Sequence, residues 1–267
     1  MSLSKITEGF IKQKRVLDAL QYRELKTRIS KTKFGFFGLL LQPIGVLLLF
    51  LFIFGFIRRR GVGNLEPSFV PIYLLCGIIH FTLFSEIVIR SLNAMQANSP
   101  LFNYRQVKPI DTLLSRAYLE IIIYIFVFII IIVGIYLTFE TFLLDNLPLV
   151  FVSYILLGVT SFGLGILFMV AGHRYQFLKI IIPFIQRPLF LTSGIFFSIK
   201  DLPPKIIPWL SWNPILQAIE LSRSGFNEKY ILDPSIVSLK YLLSFSLISC
   251  AIGFWVYFNN LRILRKL

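Results

Sequence analysis

The chain holds only two cysteines and two histidines in 267 residues, and 13 acidic residues against 27 basic ones. Cys76 and Cys250 lie far apart inside apolar stretches, with neither metal-ligand spacing nor a disulfide pattern, so they read as small hydrophobes and say nothing about redox compartment. There is no G-x-x-x-x-G-K-[ST] phosphate loop, no H-E-x-x-H and no G-x-S-x-G elbow. ATP hydrolysis, zinc-dependent proteolysis and elbow-type serine hydrolysis therefore have no visible machinery in this chain. A membrane glycosyltransferase would need an acid or base poised on a loop, and no convincing pair appears. Two histidines and few acids at membrane depth leave little for a proton relay, and no internal repeat of the secondary-carrier kind is apparent. The energy for whatever this protein does is expected to come from another chain.

What the sequence has in abundance is apolar length. Hydrophobic residues make up 56% of it, more than a soluble domain of this size can hide, and lipid is the expected solvent. A hydrocarbon core of about 30 Å takes roughly 20 apolar helical residues per crossing. Six stretches qualify, at about 34–57, 69–91, 113–139, 149–171, 177–199 and 237–258. The predicted fold is all-α: a polytopic integral membrane protein in which residues 34–267 form the six-helix transmembrane domain. Residues 1–33 are amphipathic and basic, nine Lys/Arg against three Asp/Glu, and are too polar to span. They are expected to lie in the headgroup plane on the cytoplasmic side. Ile6, Phe10 and Leu17 form one stripe and Tyr22, Leu25 and Ile29 another, which predicts a break near Ala19 to Tyr22. No cleavable leader is recognisable before the first apolar run, so the N-terminus is expected to be retained.

The formal charge of +14 suggests nucleic acid only in a soluble protein. With both termini cytoplasmic, the inside segments carry an excess of eleven positive charges and the outside segments none, the asymmetry that sets membrane orientation. Arg58, Arg59 and Arg60 fall outside in this scheme. Local triplets are tolerated by a rule that counts overall bias; the alternative is that the first span, interrupted by Gln42-Pro43, is not a full crossing.

Residues 200–236 combine Pro203, Pro204, Pro208 and Pro214 with Trp209 and Trp212, which predicts short interfacial or re-entrant helices at the outer face. Non-helical backbone at that depth must be buried in protein or line a wet cavity. Glu86 and Arg90 are four apart in the second span and can pair. Arg187 sits inside the fifth span, where an arginine facing lipid costs about 2.5–3.5 kcal/mol. A wet, anion-tolerant passage is one reading of it, with Phe184, Phe190 and, on the first span, Phe37 as further path-lining candidates. An internal pair or a snorkelling end is the other. His80 alone is read as a packed or hydrogen-bonded histidine.

Several strings carry a family resemblance. Arg23-Glu24-Leu25-Lys26-Thr27-Arg28, followed by Gly35 through Gln42-Pro43, resembles the start of the membrane subunits of polysaccharide-exporting ABC transporters. Asn98-Ser99-Pro100-Leu101-Phe102-Asn103-Tyr104-Arg105-Gln106-Val107-Lys108-Pro109-Ile110-Asp111, continuing to Arg116 and Glu120, is similar to the KpsM-type capsule exporters in particular. Ser193-Gly194-Ile195-Phe196-Phe197 with Leu202-Pro203, and Trp212-Asn213-Pro214 through Gly225-Phe226, extend the likeness over essentially the whole chain. Gln42 stands where relatives often carry Glu before the proline.

The resemblance implies an inner-membrane permease homodimer in a Gram-negative envelope. It also implies two copies of a separate ABC ATPase, which bind ATP and Mg, a periplasmic co-polymerase-type protein and an outer-membrane polysaccharide channel. The substrate it implies is a lipid-linked acidic capsular polysaccharide; no nucleic acid is expected. Arg23, Lys26 and Arg28 are then expected to meet anionic head groups. Asn98, Pro100, Phe102, Tyr104, Arg105, Lys108 and Asp111 are expected to form the loop that couples to the ATPase. O-antigen or teichoic-acid export is the nearest alternative, and a lipid- or drug-exporting relative would share the same spans.

Overall fold

A computed structural model describes residues 3–31, 35–57, 69–104, 106–139, 144–227 and 230–264. Among these residues every regular element is helical. In chain order the helices are α1 (Leu3–Lys31), α2 (Phe36–Ile57), α3 (Phe69–Leu92), α4 (Ala94–Ala97), α5 (Pro109–Phe139), α6 (Leu147–Arg174), α7 (Leu178–Thr192), α8 (Ile207–Leu210), α9 (Pro214–Phe226), α10 (Leu239–Asn259) and α11 (Leu261–Leu264). The Arg58 to Arg60 triplet and Arg105 fall outside the described residues.

Among the described residues four helices, α3, α5, α6 and α10, are long and apolar enough to cross a bilayer. Their ends agree with the expected second, third, fourth and sixth spans to within a few residues. The core is built around α3, which is apolar on nearly all sides, as a helix surrounded by protein must be. It packs against α6, α5, α9, α2 and α7. On the far side of α6 lies α10, whose outer face is exposed. These two helices touch through glycine: a Cβ at Gly163 would lie 2.6 Å from the backbone nitrogen of Cys250, and one at Gly253 would lie 2.5 Å from the carbonyl oxygen of Gly163. Small residues thus let two backbones meet where lipid offers no hydrophobic drive for association.

Two expectations change. The N-terminal segment is one uninterrupted helix with no break near Ala19 to Tyr22. Its protein-facing stripe is Leu20, Glu24 and Arg28, two of the three charged, so the two apolar stripes never needed to share a surface. The fifth expected span also ends early. α7 stops at Thr192 after 15 residues, about 22 Å at 1.5 Å per residue. Gly194 takes a positive φ of 76° just beyond, the left-handed conformation that terminates helices. The chain then runs irregularly from Ser193 to Ser198 into a 3₁₀ turn at Ile199–Asp201. The proline-rich segment that follows does form short helices. Of these α9 starts on an Asn213 side-chain cap with Pro214 at its first position, and nearly all of it is buried against α6, α3 and α10.

Candidate functional site

The irregular stretch after α7 leaves carbonyl groups that no helix satisfies, and they are met by one side chain. Arg223 on α9 is fully buried. Its Nη2 donates to the carbonyl of Ile195 at 2.9 Å and its Nη1 to that of Phe197 at 3.2 Å. Nε and Nη2 both reach the carbonyl of Tyr73 on α3 at 3.3 Å. The guanidinium also pairs with Glu220 at 3.1 Å and lies 3.3 Å from the centre of the Tyr73 ring. Glu220 in turn accepts from Tyr230 Oη at 2.7 Å and from Ser198 Oγ and the backbone of Ile199 at 3.4 Å. A planar five-donor group suits this role: it closes an open stretch of backbone from one side.

A second concentration of charge lies where α1 packs on α5, with α3 on the other side of α5's charged residues. Each of these helices carries an opposite-charge pair four residues apart: Glu24 and Arg28, Glu86 and Arg90, Arg116 and Glu120. Arg28 bridges Glu24 of its own helix at 3.3 Å and Glu120 of α5 at 2.7 Å. Arg90 bridges Glu86 at 2.9 Å and Glu120 at 2.5 Å. Arg116 approaches the other oxygen of Glu24 at 3.4 Å and donates to the carbonyl of Arg90 at 3.1 Å. The result is an alternating chain of three carboxylates and three guanidiniums, running from Arg116 through Glu24, Arg28, Glu120 and Arg90 to Glu86 and joining three helices. Burial alone would raise the Glu24 carboxyl; Arg116, Arg28 and Arg90 outweigh it and hold the group below its ordinary range.

The same α1 grips the segment between α3 and α5. Arg23 Nη1 donates to Asn98 Oδ1 at 3.2 Å, and Gln13 Nε2 donates to Asp111 Oδ1 at 2.5 Å. Asn98 is buried and anchored to the carbonyl of Ala94. Asp111 is buried too and closes the turn by accepting from the backbone of Lys108. Between these anchors Pro100, Tyr104 and the Lys108 side chain are exposed, while Phe102 packs against Met95, Leu113 and their neighbours. The coupling-loop residues thus divide into anchors and an exposed crest. Arg23 and Lys26 are exposed on α1; Arg28 is turned inward into the charge chain, away from any head group.

On α7, Arg187 lies on an exposed stripe with Ile180, Phe184 and Leu191. No ion pair joins it to a described residue. The next residue back, Gln186, is buried and bonded to Ser85 of α3 at 2.8 Å, which fixes the rotation of α7 and hence the outward direction of Arg187. Phe37 belongs to a similar exposed stripe on α2 with Leu41, Leu48 and Phe52. Phe190 turns the other way: its ring packs among Phe50, Phe81 and Phe196. His80 is buried, with Nδ1 2.7 Å from the carbonyl of Cys76.

Arg223, Glu220, Gln186 and the links from Arg28 and Arg116 to α5 and α1 were not singled out from the sequence as a site. The signal for the charge chain was there, in three charge pairs at helical spacing. What the spacing does not give is which helix answers which.

Helices of bilayer length, a buried chain of paired charges and a broken helix sealed by a buried arginine fit an integral membrane protein of the transport class. Comparison with known proteins names the family. The model of the ABC-2 type transporter family matches residues 15–227. The chain is 39% identical over 249 residues, 93% of its length and 95% of the relative's, to the polysialic acid transport protein KpsM of Escherichia coli. It is 26% identical over 222 residues, 82% of each chain, to the capsule polysaccharide export inner-membrane protein CtrC of Neisseria meningitidis. With the capsule polysaccharide export inner-membrane protein BexB of Haemophilus influenzae it shares 24% over 220 residues, 80% of each. The chain belongs to the ABC-2 type transporter family.

Proposed function

We propose that this chain is the membrane-spanning permease subunit of an ATP-driven exporter that carries capsular polysaccharide across the inner membrane, on a substrate both acidic and lipid-anchored. The relatives named for polysialic acid and capsule polysaccharide support the substrate class, and 95% coverage of the KpsM protein supports carrying it to the whole chain. ATP and Mg belong to a separate ATPase, docked on the exposed crest that includes Pro100, Asn103, Tyr104 and Lys108. A periplasmic co-polymerase-type protein and an outer-membrane channel continue the path. Six crossings, with both termini cytoplasmic, complete the subunit: α2 supplies the first, and α7 with the irregular stretch to Ile199 supplies the fifth. Arg23 and Lys26 on the cytoplasmic-side helix face the anionic head groups of the inner leaflet.

The observation that carries the reading is Arg187. An arginine that pairs with no described residue and lies on an exposed face at membrane depth costs about 2.5–3.5 kcal/mol against lipid. That face is therefore covered in the working assembly by water, anion or protein. Two copies set with α2 and α7 toward each other enclose a passage along this stripe, with Arg187 and Phe184 toward a passing polyanion and the outer end closed by residues 200–226.

The test is Arg187→Leu in cells. A charge-assisted hydrogen bond is worth about 1.5–3 kcal/mol, so surface polysaccharide should fall roughly tenfold while the ATPase still co-purifies with the membrane subunit. Unchanged surface polysaccharide removes Arg187 from the passage.

A further inference from the structure

We propose that a groove between α1 and α5 holds one resident phospholipid of the inner leaflet, its acyl chain laid on Leu119 and Ile123 and its phosphate held by Lys26 and Arg23. This deepens the reading that Arg23 and Lys26 face inner-leaflet head groups, and rests on it.

The groove has a volume of about 370 Å³. Leu119 and Ile123, four apart on α5 and both buried, form its floor. Tyr118 and Phe126 of α5 and Tyr22 of α1 stand exposed at its edges, and Leu25 lines the α1 side. Tyr118 to Phe126 is about 12 Å of helix, in the half of α5 nearer the cytoplasmic segment. Its floor offers water no hydrogen bond, and an acyl chain fits that chemistry. This face of α5 is separate from the α2 and α7 stripe assigned to the passage.

An apolar groove selects little by itself, because lipid tails are as apolar as leucine. Selection has to come from the head-group end. There Tyr22 also borders a second cleft, which Arg23, Lys26, Thr27 and Ser30 line. Lys26 is exposed, and Arg23 spends one nitrogen on Asn98 while its guanidinium carries further donors. Asp18 lines the groove too, with the wrong sign for a phosphate. Helical side chains lean toward the N-terminus, which tips Lys26 toward Tyr22 and Asp18 away from it. The phosphate therefore belongs at the Tyr22–Lys26 end. A tyrosine suits that boundary, with its ring on the acyl chain and its hydroxyl among head groups. A net-negative head group is favoured about fivefold per cation over a zwitterionic one, roughly thirty-fold for the two.

The experiment uses the full exporter with its ATPase in bilayer discs of phosphatidylethanolamine. Phosphatidylglycerol and phosphatidylcholine carrying the same photoreactive acyl chain are compared at equal amounts, and the adducts are mapped. Phosphatidylglycerol is expected to label Tyr118, Ile122 or Phe126 roughly thirty-fold more than phosphatidylcholine does. Arg23→Gln with Lys26→Gln should bring that ratio close to one. Ile122→Trp, which fills the groove and keeps both cations, should cut adducts of either lipid there at least tenfold. Equal labelling by the two lipids in the parent, or adducts confined to other surfaces, overturns the proposal and leaves ordinary boundary lipid; this arm decides even where Ile122→Trp fails to assemble. The lipid extracted with the complex fixes its source: phosphatidylglycerol is expected from cells with and without polysaccharide synthesis. A sugar-bearing lipid found only in synthesising cells overturns residency and makes the groove a substrate site. Labelling of Lys26→Cys by an impermeant maleimide from the periplasmic side, with Cys76 and Cys250 replaced by Ala, removes instead the reading of α1 beneath the proposal.

Discussion

Arg223→Met removes the one side chain that seals the break after α7, and its cost can be worked from the contacts. Ile195 and Phe197 lie outside any helix, so their carbonyls lose their donors outright, at about 1–3 kcal/mol each. The carbonyl of Tyr73 lies within α3 and loses less. Glu220 keeps Tyr230 and Ser198 but is left as a buried charge without its counter-ion, and breaking such a pair costs about 3–5 kcal/mol. These terms overlap, and a net loss of about 5 kcal/mol is expected. Cys76 provides a built-in reporter: it is fully buried, and Ser222 of α9 donates to its sulfur at 3.5 Å. With Cys250 replaced by Ala, maleimide labelling of Cys76 in detergent follows opening of this corner. At tenfold per 1.4 kcal/mol, Arg223→Met should label on the order of a thousand-fold faster than the parent. Adding Glu220→Gln removes the stranded charge and should recover part of that. Labelling of Arg223→Met at the parental rate would refute the claim that this arginine holds the broken backbone together.

Gly163→Ala should lower the thermal midpoint in detergent, because the methyl meets backbone of α10 that cannot step aside, an overpacking cost of about 1–3 kcal/mol. Gly134→Ala on α5, with nothing within 4 Å, should leave the midpoint unchanged or slightly raised; equal effects at the two sites would contradict the close α6–α10 contact. Glu24 is held below its ordinary value of 4.5 in the folded protein. Its contribution is therefore fully present above that value and is lost as pH falls through the lower folded one. Protease sensitivity of α1 in inside-out vesicles should accordingly rise once the pH falls below about 4.5. Sensitivity that stays at its neutral-pH level down to about pH 2 would count against the Glu24 ion pairs as part of the clamp.

Much of the fold was legible because lipid thickness sets a length that apolar runs either reach or miss. The four helices of bilayer length could be bounded from composition alone. The end of α7 could not, since Ile195, Phe196 and Phe197 continue the apolar run past the break. Only the Ser193-Gly194 step hinted at a left-handed stop. The single long α1 was misread for a related reason. Searching it for apolar stripes passes over Glu24 and Arg28, which face protein because their partners are charges on other helices. Glu220 and Arg223 were hidden by composition: in a segment of four basic and four acidic residues, two that neutralise each other inside protein look like the solvated rest. Arg187 stood out at once, because charge in a long apolar run has no ordinary explanation; the direction it faces is set by Gln186 and Ser85, a tertiary contact that no spacing reveals.

The central claim is that the α2 and α7 faces border a passage between two copies, and a photoreactive phenylalanine in place of Phe184 tests it most directly. Irradiated during export in intact cells, it is predicted to yield adducts with polysaccharide or with a second copy of the chain, at a level that changes when ATP is depleted. Adducts confined to membrane lipid, at the same level with and without ATP, would place that face against the bilayer and contradict the account.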